Sequence, residues 1–147
     1  MPLQRGHARF AQPYDEEAFR YLLAVERERF DRSGRSFLLL LLAPAPQPGV
    51  GARIAPRVAR QLFASLRSCL RETDFVGWYH DERVAGAVLT DLGERTATAV
   101  GRRVGQTIGS ALRERRSSDV THGFHVRVYE HAAPGEAAPA GRFNLDL

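Results

Sequence analysis

Two short stretches hold residue types that could act together. Arg71-Glu72-Thr73-Asp74 sets an arginine three residues before an aspartate, and His80-Asp81-Glu82-Arg83-Val84 follows a few positions later. An arginine and an aspartate at i and i+3 at the end of a helix share one face. The guanidinium fork can donate two hydrogen bonds to a planar acceptor edge, and the carboxylate can accept from a pair of donors. Such a pair suits a flat polar ligand held by its edge. The same side chains could instead bond to each other, with Asp74 fixing the turn out of the helix. An exposed pair of that kind is worth under about 1 kcal/mol. Both readings stand on residue types alone. His80 reads as a polar turn residue without a visible partner rather than a catalytic base.

The elements that must position these residues follow from periodicity. Asp15 to about Arg32 reads as a helix opened by Asp15, Glu16 and Glu17, which favour the positive end of its dipole, and stopped by Ser33-Gly34. Ala18, Leu22, Val25 and Arg29 recur along it at helical spacing, and the Glu26-Arg27-Glu28-Arg29 run reads as a solvated face with local ion pairs. Phe37 to Leu42 is apolar on both faces, which predicts a central strand of a covered sheet. The prolines and glycines of Ala43 to Gly51 predict a loop. A second helix is expected from about Arg53 to Leu70, with Ile54, Val58, Leu62, Leu66 and Cys69 on one stripe. Strands follow at Asp74 to Tyr79 and Val84 to Thr90, a hairpin by spacing. A third helix runs from about Thr96 to Arg115 on Val100, Val104, Ile108 and Leu112. Phe124 to Glu130 alternates, with Phe124, Val126 and Val128 on one face. Without its first helix this order is βαββαβ, an α+β, ferredoxin-like core with an antiparallel sheet and helices. The expected division is an N-terminal segment over 1–13, one domain over 14–131, and a loose tail over 132–147, rich in Ala, Pro and Gly.

Bulk properties exclude several classes. The 147 residues are 26% charged and 44% hydrophobic, as in an ordinary single soluble domain. One cysteine, Cys69, allows no internal disulfide and reads as a buried structural thiol. The run Phe37 to Leu42 is far short of the ~20 apolar residues of a membrane span. The first twelve residues lack the apolar core of a secretory signal, so a cytoplasmic protein is expected. All 21 basic residues are arginine, and the net charge of +4 suits an anionic ligand. The arginines are dispersed, without interleaved aromatics, so nucleic-acid binding is not expected, nor is membrane binding.

The order of elements, with these residues in it, resembles the GGDEF domain of bacterial diguanylate cyclases, which belongs to the nucleotidyl-cyclase-like folds. Glu26 to Gly34 is similar to the family's E-x-x-R-x-x-R-x-G-like run, and Leu70 to Tyr79 holds its R-x-x-D before the hairpin. The resemblance covers roughly residues 14 to 131, and the family's C-terminal helix has no counterpart. It implies that an aspartate ending the first strand and an acid in the hairpin would hold Mg²⁺, on which phosphoryl transfer depends. Here the strand runs into Ala43-Pro44-Ala45-Pro46, and His80 and Asp81 stand where the family has two glycines. The resemblance therefore implies a domain without catalytic activity, with no cofactor and no metal.

In active members the R-x-x-D is the inhibitory site for the product, cyclic di-GMP. The resemblance accordingly places Arg71 and Asp74 as guanine-reading residues. The fork would meet the O6/N7 edge, and the carboxylate the N1–H and N2–H₂ donors. Arg103, with Arg102 beside it, corresponds to a further arginine on the family's next helix. Arg67, one turn before Arg71, would also assist. The expected function is that of a cyclic di-GMP receptor in bacterial second-messenger signalling, with ligand-promoted association into a homodimer. The alternative is a ligand-independent module for dimerisation or for binding a regulated protein partner. Trp78 and Tyr79 could stack on a base, although strand aromatics more often serve as core or cross-strand partners.

Overall fold

The computed structural model describes residues 12–44, 53–114, 124–131 and 142–145. Helix α1 spans Glu16–Ser33, strand β1 Phe37–Pro44, helix α2 Pro56–Ser68, strands β2 and β3 Phe75–His80 and Val84–Leu89, helix α3 Ala97–Glu114, and strands β4 and β5 Phe124–His131 and Arg142–Leu145. The expected loop lies largely outside the described residues, as do 1–11 and 132–141. The strands form one five-stranded sheet in the order β2-β3-β1-β4-β5. Every neighbouring pair is antiparallel. The first four strands reproduce the expected ferredoxin-like arrangement. Strand β5 is a correction, because four residues of the stretch expected to be loose pair with β4, Phe124 opposite Leu145.

Strand β1 is central because its side chains are apolar on both faces. Leu38, Leu40 and Leu42 face a core shared with Val58, Leu62 and Leu66 of α2, Val104 and Ile108 of α3, and Val126 and Val128 of β4. Phe37 and Leu39 point to the opposite face, where Phe19 and Leu23 of α1 join Val88. Cys69 is only half-buried, packed at the edge of the larger core. Among the described residues no helix is long and apolar enough to cross a membrane.

Local chemistry sets the ends of α1. Asp15 Oδ1 accepts the Ala18 N–H at 2.8 Å, and Gly34, with φ 72°, donates its N–H to Phe30 O at 2.7 Å. Its buried stripe is Phe19 and Leu23, one position away from the expected Ala18-Leu22-Val25-Arg29. The reason lies on the sheet. Gly77 and Gly86 pair across β2 and β3, and the Phe19 ring fills the space their missing side chains leave. A Cβ at Gly86 would come within 2.7 Å of Phe19 Cζ. Tyr14 extends this dock by bridging to the β2 edge, with Tyr14 N to Val76 O at 3.1 Å and Trp78 N to Tyr14 O at 2.8 Å.

This contact makes a direct test. Gly86→Ala is expected to lower stability in urea unfolding by about 1–3 kcal/mol, the usual range for overpacking. In a Phe19→Ala background the same change is expected to cost well under half as much, because the ring it strikes is gone. Equal costs in both backgrounds would contradict this packing.

Candidate ligand site

Helix α2 ends at Ser68, two residues sooner than its apolar stripe suggests, so Arg71 and Asp74 do not share a helical face. They lie in the turn that leads into β2, closed by Asp74 N donating to Arg71 O at 3.0 Å. The Asp74 carboxylate is fully buried. Its Oδ2 accepts the Arg71 backbone N–H at 2.9 Å, and its Oδ1 accepts the Thr90 N–H at 2.9 Å. Thr90 Oγ1 adds a bond to Thr73 O at 3.0 Å. Asp74 thus ties the entry of β2 to the exit of β3.

The cation beside Asp74 is not Arg71 but Arg95, whose Nη1 donates to Asp74 Oδ2 at 3.1 Å. Arg95 also donates through Nη2 to Thr90 O at 2.7 Å and through Nε to Leu92 O at 3.4 Å. The Arg95 side chain is only 17% exposed, so this is a largely desolvated pair. In place of the alternative Arg71–Asp74 side-chain pair, Asp74 accepts the Arg71 backbone N–H. Arg95 was missed because it lies on an irregular connection, 21 residues from its partner, where no periodicity marks it.

The Arg71 guanidinium bonds to a main-chain carbonyl that Arg95 Nη2 also approaches, at 3.5 Å. Arg71 Nη1 donates to this Asp91 O at 3.2 Å, and Arg71 is exposed. Asp91 adopts φ 47°, a left-handed conformation that aspartate tolerates better than most residues, and its carboxylate lies 3.6 Å from Arg35. The other predicted arginines lie at the same end of the helical layer. Strand directions make α2 and α3 antiparallel, and Gln61 bonds to the Ala111 carbonyl, which fixes their offset. Six residues onward from Gln61 is Arg67, and six residues back from Ala111 is Gly105, so Arg67 and the Arg102-Arg103 pair lie at similar height. Arg102 and Arg103 are exposed. Arg67 is partly buried, and desolvation lowers its pKa from the ordinary arginine value.

The two aromatic candidates differ. Trp78 packs edge-on against Phe63, ring centres 5.0 Å apart, and joins the core. Tyr79 lies under the Arg20 guanidinium, 4.5 Å from its ring centre, so α1 already covers part of it.

The hairpin tip is tied down on both sides. His80 has partners after all, since Arg20 Nη2 is 3.0 Å from its Nδ1 and Glu16 Oε1 is 3.7 Å away. Glu16 also accepts the Asp81 N–H at 2.8 Å. The left-handed position falls on Glu82, φ 57°, rather than on His80 or Asp81. Glu82 O accepts from Ile54 N at 2.7 Å, and its carboxylate lies 3.4 Å from Arg53. The end of β1 carries Ala43 and Pro44, and no carboxylate occurs between Asp31 and Glu72. Among the described residues no group of three or more His, Cys, Asp or Glu converges. The hairpin acids are Asp81 and Glu82; with the Arg53 guanidinium beside Glu82 and no carboxylate at the end of β1, the described residues do not supply the converging carboxylates of a Mg²⁺ site.

No protein-family model matches the sequence, and no curated protein does so either. Solved structures do match its fold. A DGC protein from Thermotoga maritima aligns with TM-score 0.59 and 14% identity, over 86% of each chain. The GGDEF domain of DgcB from Caulobacter crescentus, in complex with c-di-GMP, aligns with TM-score 0.59 and 14% identity, over 85% of this chain and 76% of that one. The diguanylate cyclase SiaD from Pseudomonas aeruginosa, in complex with its activator SiaC, aligns with TM-score 0.60 and 23% identity, over 88% of this chain and 53% of that one. The fold is that of GGDEF domains.

Breaking the buried pair should be costly. Arg95→Met is expected to destabilise the domain by roughly 3 kcal/mol in chemical denaturation, because it strands a buried carboxylate. Arg71→Ala, which removes one exposed bond, is expected to cost less than about 1 kcal/mol. A smaller loss for Arg95→Met than for Arg71→Ala would contradict the assignment.

Proposed function

We propose that this domain binds cyclic di-GMP as a regulatory receptor and does not synthesise it. The observation that carries this reading is Arg71, an exposed guanidinium held at the turn into β2, with Arg67, Arg102 and Arg103 at the same end of the scaffold. A GGDEF domain of the same fold has been solved with c-di-GMP, which supports the choice of ligand. The ligand carries two phosphate charges, and arginines suit both its phosphates and its purine edges. Loss of synthesis rests on Ala43 and Pro44 at the end of β1 and on the Arg53–Glu82 pair at the hairpin. The domain acts over residues 14–131 as a cytoplasmic sensor, and the bound dinucleotide promotes association with a second copy.

The alternative, a ligand-independent interaction module, draws on a different observation. On the α1 face, Leu39 and Leu41 floor an open groove flanked by Arg27, Tyr79 and the exposed Tyr129. SiaD, of similar fold, was solved with a protein activator.

Titration calorimetry with cyclic di-GMP separates the two. The receptor reading expects saturable binding that Arg71→Ala weakens at least tenfold, with Arg103→Ala having a smaller effect in the same direction. Incubation with GTP and Mg²⁺ is expected to yield no cyclic di-GMP. No heat at high micromolar ligand, together with self-association independent of nucleotide, would favour the module. Product formation would overturn the inactive reading.

A further inference from the structure

We infer that Asp74 is a positioning residue and not a ligand contact, so that the site reads a guanine through Arg71 alone and is blind to its N2 amino group. The inference rests on the receptor reading above and narrows it.

A carboxylate offers about four acceptor positions. Three of those on Asp74 are taken, by the Arg71 N–H, the Thr90 N–H and Arg95 Nη1. The side chain is fully buried, so a purine cannot reach what remains without displacing one of these donors. Displacement of Thr90 N would detach the exit of β3 from the turn, and displacement of Arg95 would leave its guanidinium without its carboxylate. Binding would have to offset that loss before any gain from the base.

Arg71 is free of this constraint. Its backbone N–H is held by Asp74, and among the described residues its guanidinium bonds to the Asp91 carbonyl, at 3.2 Å. The remaining N–H donors of the fork can meet O6 and N7 of guanine. Asp74 therefore acts through Arg71, by fixing the turn from which that side chain projects. The nearby acids offer no close substitute. The Asp91 carboxylate lies beside Arg35, and among the described residues no contact directs Glu72 or Glu94 toward the Arg71 guanidinium.

The chemical consequence is specific. A carboxylate on the N1–H and N2–H₂ edge distinguishes guanine from hypoxanthine, which keeps O6, N7 and N1–H but lacks the amino group. Arg71 on the O6/N7 edge does not distinguish them. Both purines are still separated from adenine, which places a donor at the O6 position.

The test is calorimetry on the intact wild-type protein with cyclic di-GMP and with its inosine analogue, cyclic di-IMP. Affinities within about threefold of each other are expected, with Arg71→Lys weakening both in equal proportion. A charge-assisted bond from N2 would be worth roughly 10- to 100-fold in affinity. A preference of that size for cyclic di-GMP would overturn the inference while leaving the receptor reading intact. Absence of binding by either ligand would overturn both.

Discussion

One buried carboxylate organises the end of the molecule that carries Arg71. Asp74 accepts from two backbone N–H groups on different strand connections and from the Arg95 guanidinium, and it is shut off from water. In a low-dielectric interior an ionised group survives only with such compensation, and each donor it gathers constrains the chain that carries it. The α2–β2 turn, the exit of β3 and the approach to α3 are consequently one rigid corner. The exposed Arg71 projects from that corner with its main chain already fixed.

At the opposite end of the sheet the hairpin between β2 and β3 is held by contacts within the domain. It lies beside the end of β1, where Leu42 stands opposite Ala85. Arg53 lies against Glu82, Glu16 caps the Asp81 N–H, and Arg20 reaches both the Tyr79 carbonyl and His80. Each of these is an exposed or half-exposed polar contact and contributes little alone. Together they hold the tip against α1 and the start of α2.

Much of the fold was legible because apolar periodicity maps directly onto layers. The unbroken Phe37 to Leu42 run could satisfy only a central strand, and the spacing of Val100, Val104 and Ile108 could serve only one buried helical face. Helix α1 misled because Ala18, Phe19, Leu22, Leu23 and Val25 offer several overlapping stripes. The choice among them is made by the Gly77–Gly86 window on strands some sixty residues away. Strand β5 alternates polar and apolar over Arg142 to Leu145, but the signal is only four residues long and sits in a Gly/Ala/Pro-rich setting. At the site, the arginine and aspartate of the tetrad were visible, but their roles were not. Whether Asp74 faces a ligand or the interior depends on Arg95 and Thr90, and a tertiary contact between irregular segments leaves no mark at i+3 or i+4.

The account depends most on Asp74 staying in place when the site is filled. A crystal structure of the protein with cyclic di-GMP bound tests this directly. The Arg95–Asp74 contact is expected to persist near 3.1 Å while the Arg71 fork donates to the purine edge. A structure in which Asp74 has turned outward to the base, with Arg95 displaced, would contradict it.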